Sequence, residues 1–374
     1  MTDPASIPVT VCTEQSGENT STVEQTQHSP VANASYKILV PLPEETAAKH
    51  GDINVSRLLR TPCSIAADRD GSVTITMVLN APSDLPLTGV RAGDEELAPI
   101  ENLISTGQAQ IASIVDDVSN SYPSVSVHGT VVVGRLSENV MEQLTADDQY
   151  DELFIPRSED TETTLWDRSL IEEMVDATSC AIYVENVGTG SEFHRPEDGD
   201  ETTDLGKNGS SSQSVSTILL AVGTGAHSVL GAEAARALAR ECDAKVNAIH
   251  LYSTATDQDV KASGEDALSV CEYVLSDIPN VTCTSREVDH VVDDLLREIE
   301  QHDVAVMGAP TKQLLVERVF KTGKREKDTM GSSVSVVMAR QPSDAMNTVY
   351  YRWKRAIERT VDEESSGSPT GGVN

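Results

Sequence analysis

The chain has 374 residues and carries 60 acidic against 28 basic side chains, a formal net charge of −32. A field of that sign repels phosphate backbones and disfavours general nucleic-acid binding. With few aromatics and more arginine than lysine, it is the composition of a protein kept soluble in a high-salt cytoplasm, where ions screen the self-repulsion.

The length suffices for two domains with real cores. Met1 to Ala34 lacks the apolar stretch of a signal peptide, and no run of about eighteen apolar residues occurs, so a soluble, cytoplasmic protein is expected. Cys12, Cys63, Cys180, Cys242, Cys271 and Cys283 show neither CxxC pairing nor zinc spacing. Most sit in apolar runs, where a reduced cysteine acts as a small hydrophobe.

Residues 1–35 are rich in Ser, Thr, Gln and Pro without periodicity, the composition of a disordered tail. In a first block, 36–185, Lys37 to Leu42 (KILVPL) is a strand. A helix follows with Val55, Leu58, Leu59 and Ile65 on its apolar positions, then a strand from Val73 to Leu79. A helix over about Glu95 to Ser119 leads to a third strand, Val125 to Val133. Helices near Ser137 to Thr145 and Leu170 to Val175 alternate with strands Glu152 to Ile155 and Cys180 to Val184. Residues 186–214 are polar and glycine-rich, as in a flexible linker.

The second block, 215–340, repeats the order. Strands are expected at Ser216 to Val222, Val246 to Tyr252 and Val281 to Val288, with helices at about Val229 to Glu241, Glu265 to Ser276 and Val291 to Ile299. The most informative stretch comes next. DVAVM is a buried strand that stops at Gly308, Leu314, Leu315, Arg318 and Val319 recur at helical spacing, and Val334 to Met338 is another buried strand. A strand that ends in a glycine loop and returns through a helix is where α/β proteins hold phosphates. Strands alternating with helices imply a parallel sheet covered on both faces. Residues 341–374 are expected to hold a helix over the basic, aromatic segment Tyr350 to Ile357 and then a frayed end. That helix packs on the sheet, or else docks on a membrane surface or partner.

Both blocks resemble the universal stress protein family. The likeness rests on ILLAV, the alanine-rich helix ending AREC with DAKVNAIHLY after it, DVAVMG and SVSVVMAR in the second block. KILVPL, PLTGVRAGDEEL and VVVGR in the first are similar to stress-protein modules appended to archaeal amino-acid permeases. The resemblance implies two tandem doubly wound α/β domains of the adenine nucleotide hydrolase-like type, each with a five-stranded parallel sheet. It also implies domains packed as an intramolecular dimer through their fifth strands, with a homodimer left open.

Nucleotide-binding members of that family carry an aspartate after strand one and, after strand four, a glycine motif of Gly, two residues, Gly, nine residues, then Gly with Ser or Thr. Gly308 matches the first glycine and Thr322 the hydroxyl, while Thr311 and Lys321 replace the other glycines and Gly223 replaces the aspartate. The implied ligand contacts are Val222, Gly223 and Thr224 after strand one, and Gly308, Thr311 and Thr322 after strand four. The implied ligand is ATP or another adenine nucleotide, with no metal beyond a nucleotide-bound Mg. In the first block Ile155, Pro156 and Arg157 end strand four without a glycine, and Pro41 to Glu44 replace the aspartate loop.

Gly223-Thr-Gly225-Ala-His-Ser228 is similar to a dinucleotide fingerprint, but Ser228 stands at the third glycine and no acid ends strand two. No P-loop is present. The histidines are scattered, and His128 and His250 fit core or edge positions better than metal ligation. Lys312, Lys321, Lys324, Arg325 and Lys327 form a local basic patch that suits an anionic ligand or a solvated rim equally. No nucleophile–base pair can be named, so a non-enzymatic role in regulation or stress adaptation is expected. The alternative is a nucleotide-free scaffold, a regulatory subunit of a membrane amino-acid transporter. Molar potassium chloride is expected to raise the thermal unfolding temperature, followed by circular dichroism; an unchanged or lower temperature contradicts a high-salt adaptation.

Overall fold

A computed structural model describes residues 1–11, 36–43, 55–80, 100–134, 150–157, 180–186, 215–225, 227–309 and 334–340. The helices expected near 137–145, 170–175, 314–319 and 350–357, the 187–214 stretch and the basic patch lie outside the described residues. Among the described residues, no helix is long and apolar enough to cross a membrane.

In the N-terminal half, β1 (Val9–Val11) is followed by β2 (Lys37–Pro43), the short α1 (Val55–Leu58) and α2 (Arg60–Asp68). Then come β3 (Ser72–Asn80), α3 (Glu101–Ser121), β4 (Ser126–Gly134), β5 (Glu152–Arg157) and β6 (Ala181–Asn186). The C-terminal half holds β7 (Thr217–Ala221), α4 (His227–Cys242), β8 (Lys245–Tyr252), α5 (Gln258–Val274) and β9 (Val281–Glu287). It closes with α6 (Val291–Ile299), β10 (Val304–Gly308) and β11 (Ser335–Arg340).

For residues 1–11 the expectation of a disordered tail is corrected, while 12–35 lie outside the described residues. Residues Pro4–Ser6 form a 3-10 turn capped by Asp3, and β1 adds a parallel edge strand to β4. Ile7 is buried beside Gly129, where the missing side chain makes room for Ile111, Val115 and Ile7. Thr2 N–H and its hydroxyl both donate to Asp116, at 2.8 and 2.6 Å from Oδ1, and Gln108 Nε2 donates to the Ile7 carbonyl at 2.8 Å. These anchors on α3 explain why a polar segment without periodicity is ordered: it borrows an existing edge.

The described strands form one sheet in the order β1-β4-β3-β2-β5-β6-β11-β10-β7-β8-β9. Apart from β1, each half runs 3-2-1-4-5 in its own strand numbering, the order of a doubly wound sheet. The halves match in register as well as in order. Ile38 pairs with Val73 and Glu152 as Ile218 pairs with Val246 and Val304. Ala181 lies opposite Glu152 as Ser335 lies opposite Val304. Even the bottom edge is duplicated: Lys37 N–H donates to Asp151 Oδ2 at 2.8 Å, and Thr217 N–H to Asp303 Oδ2 at 2.9 Å. After α2 and α4, Asp70 (φ 50°) and Asp243 (φ 53°) take the same left-handed turn, which aspartate tolerates better than most residues.

Side chains alternate across the sheet with period two. Ile218, Leu220, Val304 and Val306 join the core under α2 to α5, while Leu219, Ala305 and Met307 pack with Leu295 and Ile299 of α6 on the other face. In α4 nearly every residue from Ser228 to Ala239 is buried. Its alanines let it lie close to β10, β11 and α2 at the centre of the molecule.

The fifth strands meet, as the resemblance implied. β6 and β11 pair antiparallel with Val184 opposite Met338, and those two residues occupy equivalent positions in the two halves. Equivalent strands that pair antiparallel are related by a twofold axis perpendicular to the sheet, so each half keeps the same face up. That operation brings α2 of one half against α4 of the other.

Buried charge is concentrated at this join. Glu152 is fully buried; Tyr36 OH donates to its Oε1 at 2.5 Å, and the Arg69 guanidinium lies 3.3 Å away. Arg69 also donates to Tyr36 OH, stacks 4.4 Å from the Tyr36 ring centroid and reaches Glu233 Oε2 of α4 at 2.7 Å. Tyr183 OH lies 3.4 Å from Glu152 Oε1, and its ring stacks on Phe154 at 5.6 Å. Further out, Asp68 and Asp277 share Arg236 and Arg240. Burial pushes Glu152 up to about 7 against the pull of Arg69. It pushes Glu185 up to about 8, the Thr61 hydroxyl, Arg60 and Arg57 offsetting part of the cost.

The sign of the pH effect follows. A carboxyl that holds its proton more tightly folded than unfolded stabilises the fold fully below its unfolded value, and that contribution is lost as pH rises through its folded value. For Glu185 the window runs from the ordinary glutamate range up to about 8. Glu185→Gln is therefore expected to flatten the fall of unfolding temperature between acidic and mildly alkaline pH and to unfold later than the parent at the alkaline end. Parallel curves for the two proteins would contradict an uncompensated buried carboxylate.

Candidate functional site

The candidate site lies at the C-terminal edge of the C-terminal half, where β7 and β10 are neighbours; α4, which follows β7, packs on one face of the sheet and α6, which precedes β10, on the other. In open α/β sheets that switch point leaves a crevice for ligands. The segment after β7 turns outward at Gly223, Thr224 and Gly225, all exposed, and enters α4 at His227. Among the described residues, no atom lies within 4 Å of a Cβ built on Gly225.

Of the six residues expected from sequence, four are described, and they converge on this edge: Val222, Gly223 and Thr224 in one loop and Gly308 on the adjacent strand. Thr311 and Thr322 lie outside the described residues. The backbone of Val222 is committed internally. Its N–H donates to Ile249 O at 2.8 Å and its carbonyl accepts from His250 Nδ1 at 2.9 Å. Gly223 N–H donates to Ser228 Oγ at 2.9 Å, and Ser263 Oγ donates to the Thr224 carbonyl at 3.3 Å. The surface left facing solvent is the exposed Thr224–Gly225 backbone with the Thr224 side chain.

Gly308 has a packing task that its motif does not show. A Cβ there would sit 2.8 Å from the His227 carbonyl carbon and 2.9 Å from Ser228 N. The glycine lets the first turn of α4 press onto the end of β10, and so positions the loop from below rather than lining it. His250 is a core residue: its ring is packed flat against Gly264 of α5, where any side chain would overlap it. The His227 imidazole, at the helix start, is lowered from its ordinary value by burial and by nearby Arg340. Among the described residues, no cluster of three His, Cys, Asp or Glu could hold a metal ion.

The same edge of the N-terminal half is built from prolines. Register equivalence puts Leu42 and Pro43 where Val222 and Gly223 stand, and Pro156 where Gly308 stands. Proline has no N–H to offer an anion. Sequence reasoning missed Ser228 and Arg340, whose roles appear only once α4 and β11 are placed. It also missed Asp151 and Asp303, although an aspartate just before strand four in both blocks was a visible signal.

No protein-family model matches the chain, and no curated protein matches it. Among solved structures it is similar to the cytoplasmic domain of a prokaryotic cation chloride cotransporter, at 15% identity and TM-score 0.47 over 82% of this chain and 95% of that one. It is similar to a universal stress protein from Archaeoglobus fulgidus DSM 4304, at 12% identity and TM-score 0.45 over 83% of this chain and 98% of that one. A universal stress protein in complex with cAMP matches at 13% identity and TM-score 0.27, over 40% of this chain and 96% of its own. The tandem doubly wound architecture stands on the duplicated strand order and registers described above.

Because Gly308 carries the helix start, Gly308→Ala is expected to lower stability by about 1–3 kcal/mol with no ligand present, measured by urea unfolding. An unchanged midpoint would return the glycine to a role in ligand approach.

Proposed function

We propose that the chain is a non-enzymatic regulatory protein of the universal stress type, in which the C-terminal half takes an adenine nucleotide and the N-terminal half serves as its ligand-free partner. One asymmetry carries this reading. Two halves of equal register differ at the switch point, where an exposed glycine loop opens α4 in one and prolines stand in the other. Backbone N–H groups at the start of a long helix favour phosphate oxygens through both hydrogen bonding and the helix dipole. Arg340, close to His227, adds positive charge from β11, the strand beyond β10.

The non-enzymatic part rests on the hydroxyl at the helix start. Ser228 Oγ accepts from Gly223 N–H and so braces the loop, and among the described residues it is not paired with a general base. Docking on a membrane transporter is the reading that remains if nucleotide is not bound.

Titration calorimetry of the full chain with Mg-ATP is expected to show saturable binding at one site per chain. Gly225→Glu puts a negative charge in open space without touching the packing. It is expected to weaken nucleotide binding by at least about tenfold, with unfolding temperature unchanged. No heat of binding up to millimolar nucleotide, or equal affinity in the variant, would overturn the proposal.

A further inference from the structure

The near-perfect twofold between the halves allows each contact across the join to be compared with its mirror image. After α2, Gly71 N–H donates to Ala66 O and Ser72 N–H to Tyr36 O; after α4, Ala244 N–H donates to Ala239 O and Lys245 N–H to Ser216 O. The two helices therefore superpose with Arg60 on Glu233, Cys63 on Arg236, Asp68 on Glu241 and Arg69 on Cys242. In a twofold interface a contact from i to j implies one from j to i. The Arg69–Glu233 ion pair is accordingly mirrored by Cys242 against Arg60. That neighbourhood is visible in the Cys242 thiol, which burial raises and Arg60 draws back.

In a symmetric ancestral interface the mirrored contacts would be the same. Here they are not, and the difference decides which surfaces can meet. If the face of the N-terminal half met a copy of itself, Arg69 would oppose Arg60 of the copy, twice, in a setting where Arg69 is three-quarters covered. If the C-terminal half met its own copy, Glu233, only 7% exposed, would exchange Arg69 for the Cys242 thiol. Glu241 would gain Arg236 and Arg240 of the copy, but Glu241 and Arg240 are exposed, and such pairs contribute little. Breaking a buried ion pair by removing one partner is strongly unfavourable.

We infer that the α2–β6 face of the N-terminal half is an interaction surface that accepts the α4–β11 face of a C-terminal half and rejects a second copy of itself, with Arg69, Arg60 and Glu233 as the residues that discriminate. The partner surface must present a carboxylate at the Glu233 position. In this chain it is supplied in cis, and the C-terminal half of a second copy would fit as well.

The test uses the full chain with a specific protease site inserted between Asn186 and Val215. After cleavage, native mass spectrometry is expected to show the two halves as a one-to-one complex. Mixing with cleaved protein that is isotopically heavy should yield only complexes of an N-terminal with a C-terminal half. Glu233→Arg is expected to weaken the cut complex at least about a hundredfold, and Glu233→Gln less. Circular dichroism of uncut Glu233→Arg shows whether its halves stay folded; if they do not, the exchange pattern of the parent decides alone. Complexes of two N-terminal halves at comparable abundance, dissociation of the cut parent at micromolar concentration, or an unweakened folded Glu233→Arg complex would each overturn the inference.

Discussion

One guanidinium holds the middle of this molecule together. Arg69 lies between Glu152 on β5 and Glu233 on α4, and so touches a carboxylate from each half while it stacks on Tyr36. Around it runs the β6–β11 seam, the antiparallel pairing among otherwise parallel strands described here. A parallel sheet grows by crossovers in one direction; a reversal at the seam lets a second wound unit join edge to edge and extend the same core. Removing either carboxylate would leave the arginine half-compensated in a place that excludes water, which is why the seam is sensitive to single charges.

The halves have diverged in complementary ways. The N-terminal half has gained polar groups on the buried face of the seam: Tyr36, Glu152, Tyr183 and Glu185 stand where the other half has Ser216, Val304, Val337 and Ala339. It has also placed prolines at the mouth of its own switch point. The C-terminal half keeps apolar residues on the seam face of β10 and β11 and an exposed glycine loop above α4.

Much of the fold was legible in the sequence because the signals were local. Short apolar runs such as TILLA, VAVMG and SVVMAR sit in the centre of the sheet, and alternation along them fixes both faces. Element edges were less legible: the helix expected from about Glu265 begins at Gln258 behind an Asp257 cap. The first eleven residues escaped altogether. Their order depends on Asp116, Gln108 and the gap at Gly129, all more than a hundred positions away. At the candidate site, the resemblance pointed to Val222, Gly223, Thr224 and Gly308, and register and packing place those four at one edge of the sheet. The packing of α4 on Gly308 was not legible, since a glycine that admits a ligand and one that admits a helix look alike in sequence.

By itself the sequence determined the alternation of strands and helices, the duplication and the acidic surface, because periodicity and charge are properties of neighbouring residues. Tertiary structure alone decided that the halves share one sheet, that Arg69 meets Glu233, and that Pro156 and Gly308 are counterparts. Those facts are set by register and by a twofold axis between segments far apart in the chain, and no local pattern records which distant side chains will be buried against each other.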